Sequence, residues 1–399
     1  MRLTNFGCAI GIRPTCAQMS RSVVILTGEA SGDLYGADLA QSLQARFPKL
    51  TLYGVGGARM QAAGVHLLAD SRAWGAIGVV EAAKVAPKVL VAFQRVKRSL
   101  RRMRPDWIIP IDCGAFNVPL SCWAKAQGMR VVYYIPPGSW RRERQGADLP
   151  RCTDWVLTPF EWSATHLQAM GARAHWVPHP LLRLAHASES KRAFCERLGL
   201  DPFRLIIALL PGSRRHEVSA LVPLYARVAD QVYHKMPEVQ FVVSVAPHFS
   251  PDWIHTLWAD GSKQWVPTET RSVWNLLAHA DAAIVCSGTA TLEAALLETP
   301  MLIVYRGNWL MNLEYRLRRR QLNLQWIGLP NLILQRSVCP EFIQEAASPE
   351  ALTHALLHLL RNEDARNSQL RAFHEVRRAL GEGHDLREAH EWIADLLTV

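Results

Sequence analysis

The residues SVVILTGEASGDLYGADLAQSLQARF, from Ser22 to Phe47, decide the fold class of this chain. A continuous apolar run leads into a loop rich in glycine and serine, and an amphipathic pattern follows that loop. This order predicts a buried strand, a turn and a helix, the unit that opens a doubly wound parallel sheet. The fold class expected is therefore α/β.

The same alternation continues along the chain and restarts in its second half. Further strands are expected at 50–56, 107–112, 131–135, 154–159 and 175–178, and then at 205–210, 240–245, 264–266, 282–285 and 301–305. A chain of 399 residues is too long for one ordinary core, so two parallel sheets facing a cleft are expected. The predicted parts are a disordered extension (1–20), a first domain (21–182), a linker (183–202), a second domain (203–380) and a C-terminal helix that packs back on the first domain (381–399).

Charge and composition restrict the function classes. The net charge of +10 favours a polyanionic partner, and the cations concentrate in Lys88–Arg104 and Arg316–Arg320. Neither run matches a nucleic-acid-binding pattern, so nucleic acid is not expected as a partner. No apolar stretch reaches the roughly 18 residues of a transmembrane helix. The eight cysteines show no metal-binding spacing, which is typical of reduced residues in a cytoplasmic protein.

Two glycine-rich motifs in the second half are candidate phosphate sites. In LLPGSR, Gly212 lets the backbone approach an anion, Ser213 offers a hydroxyl and Arg214 a bidentate guanidinium. The motif SGTATLE, from Ser287 to Glu293, opens a helix whose positive end suits a diphosphate. The alternatives are an ordinary turn for the first motif and a helix cap for the second.

Acidic residues mark the loops of the first half. Glu29 and Asp33 lie in the loop after the first strand, where two acids suit hydroxyl recognition or base chemistry. The alternative is a helix N-terminus that Ser31 or Asp33 caps. Asp112 ends the strand WIIPID at the cleft edge, and it is either a helix cap or a general base.

Several motifs in series resemble the lipid-A-disaccharide synthase family. They are GEASGDLYGADL, YGVGGARMQAAG, IGVVE, RPDWIIPID, LLPGSR, SGTATLEA and LPNLILQR, and they extend from about residue 22 to about residue 345. The resemblance implies a GT-B fold with two Rossmann-like domains. It implies transfer of 2,3-diacylglucosamine from UDP to 2,3-diacylglucosamine 1-phosphate, with inversion and a β-1,6 link.

The resemblance also assigns roles to individual residues. Asp112 becomes the candidate catalytic base, and Glu29, Ser31, Gly32 and Asp33 lie on the acceptor side. The UDP-binding residues are expected to be Gly212, Ser213, Arg214, Ser287, Gly288, Thr289, Glu293 and Asn331. The chain departs from the family pattern at Cys113–Ala115 and at 136–142, both on the acceptor side. No metal and no cofactor are expected, since there is no D-x-D motif and UDP-sugar is a substrate.

The expected partners follow from this chemistry. They are UDP-diacylglucosamine, an acylated glucosamine phosphate and an anionic membrane surface contacted through residues 76–104, with a homodimer left open. The alternative for residues 76–104 is a helix that packs on the core and solvates its cations. The expected location is cytoplasmic, peripheral on the inner face of the inner membrane. Two other functions stay open: another GT-B transferase or UDP-sugar epimerase, and a non-catalytic UDP-binding relative.

Overall fold

The structure of the protein is a computed structural model that describes residues 21–72, 74, 79–139, 146–262, 264–307 and 325–398. For residues 79–85 it describes the course of the backbone. The expectations placed on residues 1–20, 140–142 and 316–320 lie outside the described residues.

The first half of the described chain alternates strands and helices. Its elements are β1 (Ser22–Leu26), α1 (Ala30–Arg46), β2 (Thr51–Gly56), α2 (Ala58–Ala62), β3 (His66–Asp70), α3 (Val79–Met103), β4 (Trp107–Pro110), α4 (Gly114–Ala126), β5 (Val132–Tyr134), α5 (Leu149–Cys152), β6 (Trp155–Thr158), α6 (Glu161–Ala169), β7 (Ala174–Trp176) and α7 (Leu181–Leu184). The strands are parallel in the orders β3-β2-β1-β4 and β5-β6-β7. Single bridges at Ile108–Val131 and Ile111–Tyr134 join the two groups into one doubly wound sheet.

The second half forms another parallel sheet. Its elements are α8 (Lys191–Leu198), β8 (Ile206–Leu210), α9 (Arg215–Lys235), β9 (Gln240–Ser244), α10 (Pro251–Ala259), β10 (Thr268–Glu269), α11 (Val273–His279), β11 (Ala282–Cys286), α12 (Thr289–Leu296), β12 (Met301–Tyr305), α13 (Leu329–Leu334), β13 (Glu341–Ile343), a 3-10 turn (Gln344–Ala346), α14 (Pro349–Arg361), α15 (Glu363–Ala379) and α16 (Ala389–Thr398). The strand order is β10-β9-β8-β11-β12-β13, with every described pair parallel.

The central strands are apolar along their whole length because helices cover both faces of each sheet. All five residues of β8 and of β11 are buried. This arrangement confirms the α/β, doubly wound class that the opening residues predicted. Because the strands themselves are apolar, polar side chains for a site are expected in the loops at the ends of the strands.

The C-terminal helix α16 lies on the first domain rather than on the second. The indole N–H of Trp107 donates to the carbonyl of Leu396 at 3.0 Å, and Arg46 pairs with Asp395 at 3.2 Å. Trp392 of α16 stacks on His175 at 4.1 Å between ring centroids. The C-terminal helix of the chain therefore packs on the domain that contains the first strand.

Helix α3 presents an unusual outer surface. Its residues Leu90 and Val91 are 60% and 70% exposed, and Arg95 and Arg98 are exposed further along the same helix. Val96 and Leu100, on the inner face of the helix, are fully buried in the core of the first domain. None of the described helices combines the length and apolar character that a bilayer-spanning helix needs.

Three details differ from the sequence predictions. The strand expected at 264–266 lies instead at Thr268–Glu269, and β3 and β13 are additional short strands whose residues are mostly part-buried and carry no clear apolar pattern. The prediction that the cysteines are all reduced is wrong for Cys122 and Cys152, which form a disulfide. Because α4 packs against α5, the Cα atoms of the two cysteines lie 4.2 Å apart, although the cysteines are 30 residues apart in sequence.

Candidate active site

The carboxyl ends of the two sheets face each other across a cleft. In the first domain, Glu29 follows β1 and Asp112 follows β4. In the second domain, Arg214 follows β8 and Glu293 lies on α12. An ion pair between Arg214 Nη2 and Glu29 Oε2, 3.8 Å apart, connects the two sides. The fold therefore brings together motifs that are far apart in the sequence.

Asp112 lies in a sharp turn directly after β4. Its φ is 46°, in the left-handed region, where a non-glycine residue needs support. Its N–H donates to the carbonyl of Ile135 at 3.1 Å, and its own carbonyl accepts from Asn117 Nδ2 at 2.9 Å and from the Tyr133 hydroxyl at 2.8 Å. Burial raises the pKa of the Asp112 carboxyl to about 6, and the charge of Glu29 adds to the rise. Such a carboxylate takes up protons near neutral pH, as a general base requires.

The loop after β1 places Glu29 beside Asp112. A Cβ added to Gly28 would meet Cys113 Sγ at 2.0 Å, so only glycine lets this loop lie against the turn that carries Asp112. The side chain of Glu29 is half exposed in the cleft. Glu29 is therefore the acid of this loop that a ligand in the cleft can reach.

Asp33 has a different position from Glu29. Both of its carboxylate oxygens accept hydrogen bonds from backbone N–H groups of Gly57–Met60, at 2.6 to 3.1 Å. Asp33, on α1, therefore caps α2, and the acceptor-side role expected for it stays a prediction. Ser31 is part-buried and Gly32 is buried in the first turn of α1.

The loop after β8 is built on a buried acid, Glu217, which is 2% exposed. Gly212 has a φ of 97°, and a Cβ there would meet Glu217 Oε2 at 2.5 Å. Arg214 donates to the same carboxylate from Nη1 at 3.0 Å and from its backbone N–H at 3.3 Å. Ser213 is exposed, and its carbonyl lies 2.8 Å from His248 Nε2. Glu217 thus fixes the guanidinium through Nη1, while Nη2 lies on the side of the cleft.

The second phosphate motif opens α12. Gly288 precedes the helix with a φ of 147°, and open space surrounds the position where a Cβ would lie. Thr289 is the first helical residue, so the unpaired N–H groups and the positive end of the helix lie here. The hydroxyl of Ser287 donates to the carbonyl of Ile327 at 2.8 Å. Its proton is therefore engaged in holding the loop before α13 rather than free for an anion.

Glu293 lies one turn into α12 and has a second partner that the sequence did not reveal. The indole N–H of Trp274 donates to Glu293 Oε1 at 3.1 Å. Burial raises the pKa of Glu293, while the Trp274 bond and the charge of Arg59 from the first domain oppose the rise. The carboxyl is therefore oriented by Trp274 at the cleft edge of the second domain.

The direct donor contact predicted for Asn331 needs correction. Its Nδ2 donates to the Cys339 carbonyl and to Glu341 Oε1, both at 2.8 Å. Its Oδ1 accepts from the N–H groups of Val338 and Cys339 at 2.7 and 2.9 Å. A carboxamide can make four such bonds and no more, so this fully buried side chain supports the loop and cannot also bind a ligand.

Two residues of the site, Glu217 and Trp274, were missed from the sequence. Glu217 stands three residues after Arg214, the spacing at which an acid accepts from the residue that begins a helix, so a signal existed. Trp274 gave no signal, because its contact with Glu293 joins two different helices.

Comparison with known proteins finds relatives that match most of the chain. The family model described as "Lipid-A-disaccharide synthetase" matches residues 23–394. A protein of Trichlorobacter lovleyi named lipid-A-disaccharide synthase is 36% identical over 366 residues, which cover 91% of this chain and 94% of that protein.

Solved structures share the fold at low sequence identity. UDP-GlcNAc 2-epimerase from Neisseria meningitidis, bound to UDP-GlcNAc, aligns with a TM-score of 0.61 and 12% identity, covering 90% of this chain and 99% of that one. A UGT transferase from Siraitia grosvenorii in complex with UDP aligns with a TM-score of 0.56 and 12% identity, covering 95% of this chain and 100% of that one. The likeness establishes the GT-B type of two Rossmann-like domains around a cleft.

Proposed function

The chain belongs to the lipid-A-disaccharide synthase family, and from this premise we propose the substrates and the steps of its reaction. Membership makes it a glycosyltransferase of lipid A biosynthesis. We infer that it transfers 2,3-diacylglucosamine from UDP to 2,3-diacylglucosamine 1-phosphate. The product is a β-1,6-linked disaccharide, formed with inversion at the anomeric carbon, and UDP is released.

The observation that carries this proposal is the presence of a candidate base on one side of the cleft and a guanidinium on the other. The first domain offers Asp112, whose pKa is raised to about 6, and the second domain offers Arg214 in the loop after β8. Since Arg214 Nη2 lies 3.8 Å from Glu29 Oε2, the two sides are close enough for one donor and one acceptor to meet between them. A transferase needs this division, because the attacking hydroxyl and the leaving group lie on opposite sides of the anomeric carbon.

The chemistry assigned to these groups is a single displacement. The sugar hydroxyl attacks the anomeric carbon, its proton passes to the Asp112 carboxylate, and the bond to the UDP oxygen breaks. Arg214 and the N-terminal end of α12 stabilise the charge that develops on the departing diphosphate. Because these protein groups stabilise the charge, no metal and no cofactor takes part in the proposed reaction.

The donor side is proposed to bind UDP. Support comes from the shared fold, since the epimerase structure contains UDP-GlcNAc and the UGT structure contains UDP. Open space surrounds Gly288 at the end of β11, where a phosphate can approach the backbone. Glu293, whose Oε1 accepts from Trp274, is proposed to accept hydrogen bonds from the hydroxyls of a ribose.

A membrane surface is the proposed source of the acylated substrates. The outer face of α3 is apolar at Leu90 and Val91 and basic at Arg95 and Arg98, a combination that suits an anionic leaflet. The proposed location is therefore the cytoplasmic face of the inner membrane, where the protein is peripheral.

Epimerisation is the second candidate, because a UDP-GlcNAc 2-epimerase shares the fold at a TM-score of 0.61. Both candidates are tested by giving the protein UDP-2,3-diacylglucosamine and the 1-phosphate acceptor and analysing the products by mass spectrometry and proton NMR. We expect a disaccharide whose new anomeric proton shows the large coupling of a β linkage. A donor sugar that changes configuration with no disaccharide formed would favour the epimerase and contradict the transferase.

A further inference from the structure

Arg214 is shared between two acids of unequal character. Its contact with Glu217 lies within one loop, at 3.0 Å, and Glu217 is buried. Its contact with Glu29 crosses the cleft, at 3.8 Å, and the Glu29 side chain is 50% exposed. An exposed, long ion pair contributes little stability, whereas a buried, hydrogen-bonded one is costly to break. Of the two, the Glu29 contact is the one that a ligand can displace.

The part of Arg214 that Glu29 contacts is the part that a diphosphate needs. A guanidinium binds oxyanions through its paired N–H groups, and Nη1 of Arg214 is already used by Glu217. The other terminal nitrogen, Nη2, lies 3.8 Å from Glu29 Oε2. A carboxylate and a phosphate compete for such a group because both offer negatively charged oxygen.

We propose that Glu29 takes the place of the donor diphosphate on Arg214 in the ligand-free protein, and that donor binding releases Glu29 to bind the acceptor sugar. This inference rests on the proposed function and adds to it a specificity-determining residue and an order of binding. The released carboxylate lies beside Asp112, the base for the attacking hydroxyl, so it meets the sugar that carries this hydroxyl. The acceptor site is therefore complete only after the donor has bound.

The structure supports such an exchange without a large movement of the loops. Gly28 is pressed against Cys113, and the backbone around Glu29 is thereby fixed relative to Asp112. Glu217 likewise fixes the backbone of Arg214. The exchange then requires only the rotation of two side chains in the cleft.

The experiment compares UDP binding and turnover in Glu29→Gln. UDP affinity is measured by titration calorimetry, and kcat/KM for the acceptor is measured at saturating donor. We expect UDP to bind about two- to fivefold more tightly, the range that the loss of one exposed ion pair supports. We expect kcat/KM for the acceptor to fall by about tenfold, from the loss of a charged hydrogen-bond acceptor. A misfolded variant would lose both properties together.

Two controls separate this inference from the proposed function. Glu161→Gln removes one exposed acid of the first domain outside the contact, and we expect it to leave both values unchanged. In an Arg214→Ala background, Glu29→Gln should no longer strengthen UDP binding. Unchanged or weaker UDP binding in Glu29→Gln, or an unchanged kcat/KM for the acceptor, overturns the inference and leaves the donor site standing. If Arg214→Ala alone leaves UDP binding unchanged, the donor site itself is wrong.

Discussion

Asp112 combines a left-handed backbone with a carboxyl whose pKa is raised by burial. Asparagine has the same size and tolerates the same backbone conformation, but it cannot accept a proton. We expect Asp112→Asn to lower kcat by about 10²- to 10⁴-fold, the usual contribution of a general base. Affinity for UDP should stay at the wild-type value, because the change lies in the other domain. Initial rates and calorimetry measure both, and a variant that keeps its rate would exclude Asp112 as the base.

The pH dependence follows from the same carboxyl. Asp112 acts deprotonated, and burial raises its pKa to about 6, so kcat/KM should fall as the pH drops below about 6. Since the charge of Glu29 contributes to the rise, Glu29→Gln should move the midpoint to lower pH. A rate profile from low to neutral pH tests this. A wild-type midpoint near the ordinary value of about 4, or one that does not move in Glu29→Gln, would contradict it.

Substitution of Gly212 tests whether Glu217 shapes the loop after β8. Gly212 and Gly199 both have positive φ, at 97° and 68°, so alanine at either position strains the backbone by about 1 kcal/mol. Only at position 212 does the new Cβ collide with Glu217, at 2.5 Å, whereas position 199 is open. We expect Gly212→Ala to weaken UDP binding by about tenfold, as for a lost charge-assisted hydrogen bond, and Gly199→Ala to leave it unchanged. Equal affinities in the two variants would show that Glu217 does not shape the site.

At the residue scale, sequence motifs predicted the candidate site but not the contacts among its side chains. Arg214 and Glu293 were predicted because phosphate loops and helix starts follow local patterns along the chain. The saturated amide of Asn331 and the bond from Trp274 could not be predicted, because each depends on which distant elements pack together. The local sequence indicates which functional groups are present, whereas tertiary packing decides which of these groups are free to bind a ligand.

At the scale of elements, helix α3 carries the membrane proposal. Replacing Leu90 and Val91 by serine removes the exposed apolar part of its outer face. We expect this variant to bind anionic vesicles more weakly, by about tenfold, with the remaining binding more sensitive to salt. Phe203→Ser is the matched control, since Phe203 is 97% exposed in the second half of the chain. Equal flotation of both variants would assign α3 to solvent rather than to the membrane.

Element prediction succeeded where strands are fully buried and failed where they are short. The apolar runs of β1, β8 and β11 have no competing interpretation. In β3 and β13, most residues are part-buried, so no period distinguishes a strand from a loop. The Cys122–Cys152 disulfide was missed for a related reason, since it depends on the packing of α4 against α5.

At the scale of the whole molecule, each of the two domains contributes one side of the candidate site. Arg214 of the second domain contacts Glu29 of the first, and Arg59 of the first domain influences Glu293 of the second. We expect the cleft to close over bound substrates, which would exclude water from the reacting atoms and limit hydrolysis of the donor. The helix α16 adds a third connection by returning to the first domain.

The most direct test of the central claim is the dependence of UDP release on the acceptor. The protein is supplied with UDP-2,3-diacylglucosamine, and 2,3-diacylglucosamine 1-phosphate is added to half of the samples. We expect UDP and disaccharide to appear in equal amounts when the acceptor is present, and UDP release without the acceptor to be slower by at least about 10²-fold. UDP released at the same rate without the acceptor, or released with no disaccharide formed, would contradict the account.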